Sequence, residues 1–234
     1  MPDASESSPT VEGMPSTFAL WSLRDDVAIE SGAPGQDLIV HSLYGQVRLQ
    51  RPEPLLRTAL DRMTFGPISL ENVFDVPPGF LGPDANHPAL WPALHRLRHL
   101  LVRSLGTDDQ YGPFLSVVPV STDAVFRPYE VRTGTPIALV PGVTWENCTR
   151  GKGLKLRTPD GPFLLVLHRA EAVWTAMALT HPVSVDQVLA QLPLPWGLAH
   201  EIIGYIGGTG LLDALPGGRG PADSDNSGGV FAPS

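Results

Sequence analysis

The sequence predicts an α+β fold made of two consecutive copies of one strand-then-helix unit. Two observations carry this reading. The segment Pro67-Ile68-Ser69-Leu70-Glu71-Asn72-Val73 returns 115 residues later as Pro182-Val183-Ser184-Val185-Asp186-Gln187-Val188, identical or chemically similar at every position. Upstream of each, Arg51-Pro52-Glu53 and Arg169-Ala170-Glu171 stand just before a helical stretch.

The elements of each copy follow in the same order. Val27–Glu30, Leu38–His41 and Gln46–Leu49 read as short strands, with Leu43-Tyr44-Gly45 as one of the intervening turns. A helix follows from about Pro52 to Met63, with proline placed where a missing N–H does no harm. In the second copy the strands are Val143–Asn147, Leu154–Arg157 and Phe163–Leu167, and the helix Ala170–Thr180 is expected to bury Val173, Trp174 and Met177. Ser184 and Gln187 form a capping box for the next helix, and Ser69 with Asn72 occupies the equivalent place.

A third helix closes each set. Trp196–Gly207 presents Leu198, Ile202, Ile203 and Ile206. The other, about Ala89 to Leu105, comes after a Pro/Gly-rich insertion (Val76 to Pro88) and carries a Leu90/Leu94/Leu97/Leu101/Leu105 stripe. Phe114–Val120 and Val125–Val131 read as closing strands. Three short strands and three helices, twice over, make two tandem winged-helix-like units, placed at 18–133 and 134–215. Residues 1–17 and 216–234 are polar, Pro/Gly/Ser-rich flanks expected to be disordered.

Composition narrows the function. The net charge of −8 argues against a nucleic-acid backbone as partner, because such binding depends on clustered cations. A single cysteine, Cys148, excludes an internal disulfide, and no apolar run is long enough to cross a bilayer; a cytoplasmic protein is expected. The glycines of Gly204–Gly210 sit at the wrong pole of a helix for phosphate and read as a C-terminal cap. His95 and His99 are four apart, yet Arg96 and Arg98 would repel a metal ion between them. No nucleophile elbow or phosphate loop is present, so a non-catalytic binding module is expected, with no catalytic or metal residues. The helix 89–105 carries Arg96, Arg98 and Arg103 with His95 and His99, either a solvated face or a docking surface for an acidic peptide or partner.

The runs Phe18–Val27, Gly66–Val73, Leu101–Leu105 and Leu115–Pro119 resemble the N-terminal region of SagB-type dehydrogenases, over about residues 18–215. Those flavin enzymes oxidise azolines to thiazoles and oxazoles in ribosomally made, modified peptides. The units also look like the PqqD-like recognition elements of such pathways, in which a leader peptide adds as a strand beside the third strand, in a groove walled by the third helix. The resemblance implies a peptide-handling part with no cofactor of its own. FMN would belong to a partner chain or a missing domain, since the residues up to Ser234 hold no flavin-phosphate cluster. The expected partners are a precursor leader peptide and a separate nitroreductase-like dehydrogenase or cyclodehydratase. Alternatives are a structural or dimerisation subunit, a truncated dehydrogenase and a winged-helix DNA-binding regulator.

Two grooves follow from the resemblance. One has Phe163, Leu165 and Leu167 at its edge and Trp196, His200, Ile203 and Gly207 on its wall. The other has Gln46 and Arg48 at its edge and Trp91, His95, Arg98 and Val102 on its wall. Which edge is open is not decided by the sequence.

Overall fold

The computed structural model describes residues 16–31, 35–74, 90–132, 134, 136–148 and 153–214. It is an α+β fold with antiparallel sheets. The elements run β1 (Thr17–Leu23), β2 (Ala28–Ser31), β3 (Leu38–Ser42), β4 (Gly45–Leu49), α1 (Pro54–Met63), β5 (Ile68–Ser69), α2 (Leu70–Phe74) and α3 (Leu90–Arg96). After a 3-10 turn at Arg98–Leu100 come β6 (Leu101–Thr107), β7 (Leu115–Pro119), β8 (Pro136–Leu139), β9 (Thr144–Asn147), β10 (Leu154–Arg157) and β11 (Phe163–Leu167). The chain continues through α4 (Ala170–Ala178), β12 (Val183–Ser184), α5 (Val185–Gln191), α6 (Trp196–Gly208) and β13 (Leu212–Ala214).

One seven-stranded sheet has the order β5-β1-β6-β7-β11-β10-β9, and two three-stranded sheets have the orders β12-β8-β13 and β2-β3-β4. Two patterns recur within these orders. β1 is flanked by β5 and β6 as β8 is flanked by β12 and β13. β2-β3-β4 is a meander, and so is β9-β10-β11.

The helices form where local chemistry favours them. Pro54 opens α1, its absent N–H falling among groups with no intrahelical partner. The capping box predicted for α5 is present: Ser184 Oγ accepts from the Gln187 N–H, and Gln187 Oε1 accepts from the Ser184 N–H. α6 ends at Thr209 and Gly210, whose φ of 79° is the left-handed conformation that suits glycine. This is the cap read from the sequence.

Alternation along the strands builds two apolar cores. One gathers Leu38, Val40, Leu56, Leu60, Met63, Leu94 and Leu101; the other gathers Leu115, Val117, Leu165, Leu167, Ala172, Ala176, Ile202 and Ile206. Leu101 and Leu105 of β6 belong to different cores, and Arg103 lies between them on the same strand face. Its guanidinium rests 3.4 Å from the ring centroid of its cross-strand partner Trp21, with Phe126 at 5.9 Å. Burial pulls the Arg103 guanidinium down from its usual value, opposed by the Tyr205 phenol, which is itself pushed up by burial.

Three expectations are corrected. The helix expected over 89–105 stops at Arg96, and Leu101–Thr107 is a strand paired along its whole length with β1. Val125–Val131, expected as a strand, belongs to no strand or sheet. In α4 the buried face is Ala172, Thr175 and Ala176, while Trp174 and Met177 stay exposed at 45% and 57%. Small residues win that face because α4 packs closely on α6. Sequence also gave no notice of β1, β8 and β13, which hold the sheets together. Apart from Ser16 and Thr17, which begins β1, the flanks expected to be disordered lie outside the described residues, as does the 76–88 insertion.

The stretch Phe126–Val131 crosses α6 on its glycine face. The Tyr129 N–H donates to the Gly204 carbonyl at 2.8 Å, and a Cβ built on Gly207 would stand 2.6 Å from Tyr129 Cβ. Gly207→Ala is therefore expected to cost about 1–3 kcal/mol by overpacking. Gly197→Ala, at the other end of α6 and facing open space, is expected to be neutral or to gain up to about 1 kcal/mol. Urea denaturation of the two variants checks the contrast.

Candidate functional site

The two grooves expected from sequence have different fates. β11 lies between β7 and β10, paired on both sides, so Phe163–Leu167 offers no edge to a further strand. Its register with β7 runs from Phe163↔Pro119 to Leu167↔Leu115. Phe163, Leu165 and Leu167 are buried core residues. On the expected wall, Ile203 is buried, Gly207 lies under Tyr129, and the exposed Trp196 stacks on His200 with centroids 5.0 Å apart. The residues are near one another, but chain 115–131 already fills both the strand edge and the helix face.

Arg169 pins this internal occupant. It donates to Asp109 Oδ2 at 2.6 Å and to Glu171 Oε1 at 2.8 Å, and its guanidinium lies 3.8 Å from the Phe114 ring centroid. The main-chain N–H groups of His168 and Arg169 both donate to the Phe114 carbonyl. Burial opposes the charge on Asp109 and on Glu171 most strongly of any single effect, but the hydrogen bonds and charge of Arg169 together with main-chain N–H donors outweigh it and hold both below the usual carboxylate range.

The first groove differs. β4 pairs only with β3; among the described residues no strand lies on its other side. Ser42↔Gly45 closes a two-residue hairpin, and antiparallel alternation then turns the main-chain groups of Gln46 and Arg48 away from β3. Both residues are exposed, the Arg48 side chain at 69%. α3 stands beside this edge: Arg96 Nη2 donates to the Arg48 carbonyl at 3.2 Å. Of the expected wall, Trp91 is half-buried with its ring 6.0 Å from Trp21, and His95 is exposed. Arg98 donates to the His95 carbonyl, and its buried Nε has no hydrogen-bond partner among the described residues. Val102 lies on β6, buried, and is not part of a helix wall.

Charged side chains of both signs gather here. Asp37 bonds the Arg48 guanidinium at 2.6 Å and accepts from the Arg51 N–H, and these bonds hold its carboxyl low. Arg57 donates to the Gln36 carbonyl. Arg51 is exposed and, at φ 39°, is the one non-glycine with positive φ among the described residues. Together with Glu30, Gly35, Gln36 and Ile39, the residues Asp37, Arg48 and Arg51 line an open depression of about 480 Å³. Sequence reasoning missed Arg51, Asp109 and Tyr129, whereas Arg96 was already read as part of a possible docking face; the repeated Arg-x-Glu at 51 and 169 was the signal for the first.

The helical spacing of His95 and His99 is broken where α3 ends, and among the described residues no three His, Cys, Asp or Glu side chains gather as a metal site. No described helix is long and apolar enough to cross a membrane. No family model matches the chain, and no curated protein matches it.

The Arg169 cluster sets a pH dependence. As pH falls, unfolded carboxylates take up protons first, so the lowered Asp109 and Glu171 add stability that is complete above about pH 4.5 and lost as pH drops through their folded values. Asp109→Asn is expected to be less stable than the parent at about pH 7, with the gap shrinking toward about pH 3. Urea titrations at the two pH values measure it.

Proposed function

We propose that this chain is a non-catalytic recognition module that takes up an extended peptide as an added strand on β4, beside α3. The observation that carries the reading is the contrast between the two meanders: β11 is paired on its outer side by β7, and the corresponding side of β4 has no described strand. Strand addition uses main-chain hydrogen bonds for affinity and neighbouring side chains for selection, and an exposed edge beside a helix supplies both.

The same contrast supports a duplicated winged-helix-like unit. β1 to β6 with α1 to α3 match β8 to β13 with α4 to α6, element for element and in strand order, with β7 as the addition between them. On this reading the peptide is the leader of a ribosomally made precursor. The chain then presents it to a modifying enzyme, a flavin-dependent azoline dehydrogenase or a cyclodehydratase, with FMN held outside the residues described here. The overall charge of −8 argues against DNA as the ligand.

Titration of labelled leader segments from precursor peptides encoded beside the chain's gene tests this. Gln46→Pro removes an outward N–H while leaving the β3 pairing, and should weaken binding about tenfold or more with the fold retained. Val166→Pro strikes a strand paired on both sides and should unfold the protein instead. Undiminished binding by folded Gln46→Pro would overturn the proposal.

A further inference from the structure

The occupied edge is a template for the open one. Arg51 stands two residues beyond the end of β4 and two before Glu53; Arg169 stands two beyond the end of β11 and two before Glu171. On β11 the neighbouring strand is part of this chain, and the residue it gives to the arginine is an acid: Asp109, six residues before β7 begins. Asp109 pairs with Arg169 at 2.6 Å while Phe114 and β7 take up the main chain.

We infer that the β4 edge selects an acidic peptide, running antiparallel to β4, whose carboxylate pairs with Arg51 as Asp109 pairs with Arg169. The inference rests on β4 being the binding edge and adds the chemistry of the ligand. Three features of the edge fit it. Arg51 and Arg96 stand at it, beside an Arg48 already held by Asp37, in a protein that is acidic overall. Arg51 is exposed and fixed by its left-handed backbone and by the bond from its N–H to Asp37. Arg96 holds an outward β4 carbonyl, so a strand N–H arriving at Arg48 would displace that guanidinium and leave it available to a second acid.

The probe is the synthetic peptide Thr107–Pro119 of this chain, end-labelled, together with its Asp108→Asn/Asp109→Asn form. Both are titrated by fluorescence anisotropy against the full 234-residue protein, Arg51→Ala and Gln46→Pro. The acidic form is expected to bind the parent protein about two- to fivefold tighter than the amide form, as one exposed ion pair allows, with the preference falling in salt. Arg51→Ala should erase that preference while still binding the amide form as the parent does. Equal binding of the two forms to the parent, or a preference that survives Arg51→Ala, overturns the acidic selection and leaves the edge reading standing. Binding of neither form, or binding that Gln46→Pro does not weaken, sinks the edge reading and the inference with it. A fold intact by circular dichroism in both variants keeps these outcomes distinct.

Discussion

β7 is five residues long, and much of the molecule hangs on its two sides. On one it pairs with β6, whose own other neighbour is β1; on the other it pairs with β11. Without it the large sheet would fall into two separate three-stranded pieces, β5-β1-β6 and β9-β10-β11. Antiparallel pairing is short-range and directional, so the five pairs between β7 and β11 fix the register in which the two cores meet. The same strand closes an edge that would otherwise invite pairing with other chains. Continuity of the sheet and closure of that edge are one event.

The seam created by β7 and β6 is not apolar throughout. Arg103 sits where leucine would merge the two cores, its charge set on the Trp21 face and beside Tyr205. A buried guanidinium without a carboxylate is costly, and ring faces offset part of that cost through their quadrupoles. Its partners come from different elements, Trp21 from β1 and the Tyr205 phenol from α6. Tyr205 also donates to the Ser104 carbonyl, tying α6 to β6.

How much of this was legible in the sequence depends on the range of the signal. Every strand of the two meanders was readable from local alternation and turns, as was the α5 cap, because those elements are settled within a few residues. The leucine stripe misled for a physical reason. A step of four, as from Leu101 to Leu105, fits the helical period and the strand period alike, and only pairing with β1 decides between them. In α4, Trp174 and Met177 fit an apolar stripe, but the close partner α6 admits only the Ala172/Ala176 face. Edge status was invisible too. Whether β11 is open depends on where β7, whose paired residues lie 44 to 52 positions earlier in the chain, comes to rest.

On the proposed reading, a duplicated recognition unit gains from having one edge filled. If both meanders kept open edges, the protein would offer two competing acceptor sites and two surfaces prone to self-association. Filling one from within removes the competition, and a tethered strand meets its edge at a high effective concentration without the cost of association. The filled copy is then a rigid support, its strand pinned by Arg169 and its helix face sealed by Tyr129. In this reading the β4 side keeps what the β11 side has given up: outward main-chain groups at Gln46 and Arg48, a helix within reach through Arg96, and the exposed Arg51. On the proposed reading, one half specialises in structure and the other in binding, and a single inserted strand makes the difference.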